Sequence, residues 1–359
     1  MRRREVLSGA AALAVSGVAG AARADGGHRL HIDTLTIDEP GFDAAAAKAA
    51  GIDAAVVDLA IYPRGPEQAT EALNAWKAAA DKPDARFALV RTGAELESAR
   101  GAGCFGVILG CQDAAILGPS VWSVGDMNLE ILRYFHGLGL RVLQLTHNER
   151  NGVGDGFREK VDAGLSRLGE AVVAEMNRIG MLIDVSHCSD RTTLQAIRLS
   201  SKPIAITHAG CRALYDSRRN KTDAAIRALA DRGGYFGVYM MSRWLTARPE
   251  ASAETVLDHI DHVMKVGGED TPGFGSDLPM GGEKVPQAEK VAALATYQKR
   301  NAGLPGAEPL VGHVTVAEMD GPDRMMVLER AMERRGWKHA RIEKVMGANF
   351  RRVFAAACP

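Results

Sequence analysis

Several histidines stand at the edges of short apolar runs, and their types and spacing suit metal-assisted hydrolysis. His31-Ile-Asp33 lies in the first such run, and residues two apart on a strand share a face, so this imidazole and carboxylate could hold one ion together. His187 ends the run Met-Leu-Ile-Asp-Val-Ser-His, and His208 ends Pro-Ile-Ala-Ile-Thr-His, 21 residues or one strand-helix unit later. Neutral imidazole is a common zinc ligand, and catalytic zinc keeps a position open for a water whose pKa it lowers to about 7. One strand-end histidine alone is more often structural; three of them with the HxD pair carry the metal reading. His136, His259, His262, His313 and His339 fall on predicted helices or loops and read as surface or helix-face residues, His259 and His262 sharing an exposed helix face. No Gly-x-Ser-x-Gly elbow, Walker loop or dinucleotide loop is present, which disfavours serine-hydrolase and nucleotide chemistry.

The elements that must position these residues are short apolar runs alternating with longer helix-period segments, the pattern of parallel strands joined by crossover helices. Eight strands are predicted: 30–37, 52–59, 85–91, 105–110, 141–146, 181–186, 203–207 and 273–276. A further run at 235–239 competes for a place. Helices are predicted over 168–179, 191–199, 223–232 and 255–266, with two amphipathic helices over 324–335 and 339–357 closing the barrel. Residues 279–309 read as a long loop carrying one helix. Eight strand-helix units without a glycine-rich phosphate turn after the first strand favour a (β/α)₈ TIM barrel, with a doubly wound sheet as the alternative on pattern alone. In such a barrel His187 and His208 would face one mouth.

Composition sets the frame. The 359 residues are 46% hydrophobic, with 44 basic and 44 acidic side chains and no basic block interleaved with aromatics, so nothing marks a nucleic-acid surface and a small neutral or zwitterionic substrate fits better. Arg2, Arg3 and Arg4, a mildly apolar stretch and Ala22-Arg23-Ala24 read as a twin-arginine-type signal peptide over residues 1–24. The expectation is a periplasmic or secreted protein without a stable membrane span, an N-terminal anchor being the other reading. Residues 25–359 are read as a single domain. Five cysteines, an odd number without CxxC, read as isolated buried thiols, with a Cys188–Cys211 bridge conceivable only if their strands are neighbours.

Taken in order, these segments resemble the membrane (renal) dipeptidase family, the M19 metallopeptidases, over nearly the whole mature chain. The resemblance rests on His31-Ile-Asp33, Gly139 through Thr146-His147-Asn148, Asp184-Val-Ser-His187, Thr207-His208, Arg219-Asn220-Lys-Thr-Asp223, Gly275-Ser-Asp277 and Gly347-Ala-Asn349-Phe350-Arg351. It implies a zinc-dependent dipeptidase with a metal-activated water: His31 and Asp33 would hold one zinc and His187 and His208 a second. His147 would hydrogen-bond the scissile carbonyl or oxyanion, Arg219 would grip the substrate carboxylate, and Asp277 would move protons. From spacing alone Arg219 reads equally as a surface ion pair and Asp277 as a helix cap. The family's dimeric habit makes a homodimer compatible with the chain.

One position departs from the family pattern: Gln112, in Leu109-Gly-Cys-Gln-Asp113, stands where a glutamate bridges the two zincs. Two Zn²⁺ ions about 4 Å apart repel by about 16 kcal/mol gross at a dielectric of 20, and an amide offsets far less of this than a carboxylate. A single zinc, a weakened second site, or rescue by Asp113 through a bulge would each follow; a weakened second site is the reading taken, and it predicts that Gln112→Glu raises the zinc count. The alternatives to a dipeptidase are the same chemistry on an N-acyl amino acid or β-lactam, and a catalytically impaired binding protein.

Overall fold

The computed structural model describes residues 29–59, 65–119, 126–282, 285–300, 302–303 and 314–359. The signal peptide read in residues 1–24 and His313 lie outside them.

Nine parallel strands form one sheet, β1 (Ile32–Ile37), β2 (Ala54–Asp58), β3 (Phe87–Leu89), β4 (Phe105–Cys111), β5 (Val142–Gln144), β6 (Leu182–Asp184), β7 (Ala205–Ala209), β8 (Tyr235–Val238) and β9 (Pro272–Phe274). Eight of them run around a TIM barrel in the order β1-β2-β4-β5-β6-β7-β8-β9. The competing run at 235–239 is therefore a barrel strand. The expected strand at 85–91 shrinks to β3, which pairs only with the first half of β4, because β2 already pairs with β4 over its length and β5 takes the β4 edge further on.

Alternation sorts the strand residues into two layers. Ala54, Val56, Ile108, Val142, Leu182, Ala205 and Tyr235 point inward, while Ala55, Val57, Val107, Leu109, Leu143 and Ile206 pack against the helix layer. Several helices start at serine or threonine caps. Ser166, Ser189, Thr222 and Ser252 each accept a hydrogen bond from the backbone N–H three residues on, opening helices Arg167–Ile179, Asp190–Leu199, Asp223–Asp231 and Ala253–Gly267.

The barrel closes between β1 and the segment after β9. Asp277 N–H donates to Leu35 O (3.0 Å), Ser276 N–H to the Asp33 carboxylate (2.7 Å), and Arg324 Nη1 to Ser276 Oγ (2.7 Å). At the N-terminal end of the strands the last helix, Asn349–Ala357, sets Phe350, Val353 and Phe354 against Leu30, Ile32 and the inward layer. The predicted helix over 339–357 is broken by a π-helical stretch at Lys344–Ala348, where a side chain at Gly347 would reach 2.5 Å from Leu30 O.

The five thiols are free; Cys188 and Cys211 do not pair, and Cys211 Sγ donates to His259 O. Among the described residues no helix is long and apolar enough to cross a membrane.

Candidate active site

Three imidazoles meet at the C-terminal ends of β5, β6 and β7. His147 and His187 lie three residues beyond β5 and β6, and His208 is next to last in β7. The His147 ring stacks on His187, centroids 4.3 Å apart, and His187 Nε2 lies 2.9 Å from His208 Nε2.

Partners on the far side of each ring decide where the protons are. His187 Nδ1–H donates to Asn148 Oδ1 (2.9 Å). The Thr207 hydroxyl gives its only proton to Asp184 (2.7 Å), so at 2.8 Å it accepts from His208 Nδ1–H. Both Nε2 atoms thus turn lone pairs toward each other. Burial, with the Arg219 cation adding to it, pushes His147 down to about 3 and holds His187 and His208 far below the usual imidazole range, so all three rings are neutral. Two opposed lone pairs 2.9 Å apart repel unless they share a cation, and oriented, neutral, buried imidazoles are the donor chemistry of a divalent metal site.

The first-strand pair does not join them. His31 precedes β1, at the opposite end of the barrel, about 16 Å along the strand from the level of Thr36 at roughly 3.3 Å per residue. Its Nε2 is 3.0 Å from Glu329 Oε2, and its Nδ1–H donates to Gly51 O (2.8 Å). Asp33 faces the seam: its Oδ1 accepts from Ser276 and Leu35 N–H, its Oδ2 lies 3.8 Å from Arg324, and burial raises it to about 6. The expectation that His31 and Asp33 are metal ligands is therefore corrected. The two residues do share a face, but the stretch of β1 that reaches the mouth is Leu35–Ile37, past a register shift between Asp33 and Thr36, and neither Leu35 nor Ile37 can ligate.

Gln112 does reach the mouth, one residue beyond β4, but it is committed elsewhere. Its backbone and side-chain N–H groups donate to the two oxygens of Asp58 (3.1 and 3.2 Å), and Gln144 donates to its carbonyl. Asp113 offers no rescue, since its Oδ1 caps the turn at Ala115 and accepts from Asn151 (2.6 Å). Among the described residues no three His, Cys, Asp or Glu side chains are arranged around one metal position. The residues thus do not fit a two-metal centre, and His187 and His208 are the two imidazoles left facing one position.

Asp277 closes the mouth from the β9 side with φ of 64°, the left-handed region, at a cost of about 1–3 kcal/mol for a residue other than glycine. It lies within electrostatic reach of Arg219, Arg243 and Asp58. Arg219, expected as the carboxylate grip or a surface ion pair, is fully buried. Its Nη1 and Nη2 donate to Ser186 O (2.8 Å) and His208 O (3.0 Å), and its cation faces the rings of Tyr239, Trp244 and Phe157.

Three site residues were missed. Asp58, raised to about 7 by burial, is the polar end of an apolar strand, the same signal that flagged the histidines. Arg158 sits in the loop after β5 and Arg243 in the four-residue helix Ser242–Leu245 after β8, where no periodicity points to them. His259 is not on an exposed face; it is buried, accepting from Cys211 N–H and donating to Leu245 O, while His262 pairs with Asp223 at 2.7 Å.

Comparison with known proteins follows the same lines. Residues 28–298 match the family described as membrane dipeptidase, peptidase family M19. Dipeptidase 3 of Rattus norvegicus is 31% identical over 235 residues, 64% of this chain and 42% of the relative. Dipeptidase tcpJ of Claviceps purpurea is 33% identical over 190 residues, 51% of this chain and 44% of the relative. The chain thus spans less than half the length of these relatives. Among solved structures, an amidohydrolase from Pseudomonas aeruginosa superposes with a TM-score of 0.78 at 24% identity, covering 92% of this chain and 97% of that one. A metallopeptidase from Rhodobacter sphaeroides, liganded with a phosphinate mimic of the dipeptide L-Ala-D-Ala, gives 0.71 at 21%, covering 92% and 99%. At these identities the structures share the fold.

Proposed function

Because the chain belongs to the membrane dipeptidase family, peptidase family M19, we propose that it hydrolyses a small dipeptide-like amide at the C-terminal mouth of its barrel, using one zinc ion held by His187 and His208. Family membership implies a metal cofactor. The observation that carries the single-ion reading is the 2.9 Å approach of His187 Nε2 to His208 Nε2 on two buried rings, each with a hydrogen-bond partner at its Nδ1.

When bound, the ion supplies Lewis acidity toward a carbonyl oxygen and toward water. The chain's own residues do the rest. His147, kept neutral and stacked on His187, donates an N–H to the oxygen on which charge develops. Asp277 accepts the proton of the attacking water and returns it to the leaving amine. Arg219 ties the ends of β6 and β7 together through Ser186 O and His208 O, which keeps the two rings in register.

A second reading, a binding protein without turnover, is favoured by one specific observation: Leu35–Ile37 and the Asp58-bound Gln112 occupy the places from which the first strand and β4 would supply ligands. Metal analysis of the purified protein, with turnover of a dipeptide panel that includes D-terminal members, separates the two. The expected result is about one zinc per chain and zinc-dependent turnover. Gln112→Glu is expected to leave the count at one, because β1 still supplies no ligand; two tightly held ions in either protein would sink the single-ion reading. Zinc without any turnover would select the binding protein.

A further inference from the structure

The two rings that face each other are held from behind by unlike partners. Behind His208 stands a closed set of hydrogen bonds. Asp184, buried at the end of β6, accepts at Oδ1 from Ser186 N–H (2.9 Å), the Ser186 hydroxyl and Thr207 N–H (3.1 Å), and at Oδ2 from the Thr207 hydroxyl (2.7 Å). Burial raises its carboxyl above the usual range, and these four bonds oppose the rise. Ser186 Oγ in turn accepts from His208 N–H (3.1 Å). With its proton turned to Asp184, the Thr207 hydroxyl has only lone pairs left for His208 Nδ1–H. A change of tautomer at His208 would have to break this set.

Behind His187 the hold is looser. Asn148 is half-buried, its Oδ1 lies 2.9 Å from His187 Nδ1, and among the described residues its amide nitrogen makes no hydrogen bond. An amide carries an acceptor and a donor on arms of equal length, so a half-turn about its last bond puts Nδ2–H where Oδ1 stands. His187 then carries its proton on Nε2 and donates it to His208 Nε2, 2.9 Å away. With the amide oxygen forward, two lone pairs meet and call for a cation; with the nitrogen forward, a hydrogen bond joins the rings and none is needed.

We propose that Asp184 is a positioning residue that, through Thr207, fixes His208 as the constant lone-pair donor, while the Asn148 amide lets His187 exchange tautomers as a metal ion enters or leaves. This rests on reading the two rings as ligands of one ion. The exchange conserves protons: the one lost from His187 Nε2 is matched by one gained at Nδ1, so both rings stay neutral. The buried pair is thereby satisfied in both states, which two fixed, opposed lone pairs would not be.

Nitrogen-15 spectra of the full chain labelled at histidine distinguish protonated from bare ring nitrogens, so they report each tautomer without any turnover. In protein stripped of metal by a chelator, His208 is expected to carry its proton on Nδ1 and His187 on Nε2; zinc should move the His187 proton to Nδ1 and leave His208 unchanged. Thr207→Val should let His208 change tautomer and lower zinc affinity by about 10- to 100-fold, and Thr207→Ser should restore both. Asn148→Asp, which can only accept, should hold His187 at Nδ1–H with and without zinc, and it decides the matter even if Thr207→Val fails to fold. A His187 proton already on Nδ1 in the stripped protein, or a Thr207→Val protein with the wild-type His208 tautomer and zinc affinity, would overturn the proposal alone. Zinc that moves neither ring would sink the single-ion reading together with it. Failure of the hydrolase reading looks different: the zinc-driven change at His187 would persist while no dipeptide is cleaved.

Discussion

Asp58 shows how a buried carboxylate at the mouth should tie stability to pH. Its oxygens accept from Gln112 and Leu59 N–H groups, yet burial lifts it to about 7. The folded state therefore binds a proton that the unfolded state releases above about pH 4, and the stability Asp58 contributes is full below pH 4 and lost as pH rises toward 7. Asp58→Asn, with the Gln112 amide turned over, should remove that slope. The wild-type minus variant difference in unfolding free energy, read from urea titrations at pH 4, 5.5 and 7.5, is expected to change by a few kcal/mol over this window. A difference independent of pH would show that Asp58 titrates normally. At this scale the sequence was half legible. His187 and His208 were flagged because each ends an apolar run, His147 and Asp277 because the family resemblance implied them, and all four stand at the mouth. His31 carries the same residue type but precedes its run, so it stands at the other end of the barrel; the HxD spacing reported a shared face and said nothing about which end of the strand it occupied.

Strand and helix spans were legible to within a few residues because alternation and Ser/Thr caps are local signals. The choice between two candidate strands was not, because it depends on which edge of β4 is free. Inside the barrel, β8 runs past β7 so closely that a side chain at Gly237 would come within 2.0 Å of Thr207 O and 2.7 Å of Thr34 Oγ1. Thr34 already bonds Thr207 O (2.7 Å) and Phe274 O (2.9 Å) across the interior, so neither atom is free to retreat. Gly237→Ala should thus separate β7 from β8, costing more than the about 1–3 kcal/mol typical of overpacking, because backbone is the obstacle. Soluble yield and denaturant midpoint report it; a variant within about 0.5 kcal/mol of wild type would mean that the strands sit further apart.

For the whole molecule, the floor of the barrel comes from the last residues of the chain. Phe350, Val353 and Phe354 are fully buried against the inward layer, and at about 1.5–3 kcal/mol per side chain their loss rivals the 5–15 kcal/mol stability of an entire domain. A protein ending at Ala348 is expected to be insoluble or to lose its cooperative melt, while alanine at the exposed neighbour Arg352 should melt as wild type. A truncated chain with an unchanged melting temperature would show that the inward layer supports itself.

The seam and the floor have a further consequence in the order of folding. Asp33 waits for Ser276 and Arg324, His31 for Glu329, and Leu30 for Gly347 and Phe350. Each of these contacts joins the start of β1 to a segment some 240 to 320 residues later, so the ring of strands closes only once both distant segments have come together. Pairings of such long sequence separation fold slowly, and the β1 and β9 edges stay open for pairing with other chains until the seam is made.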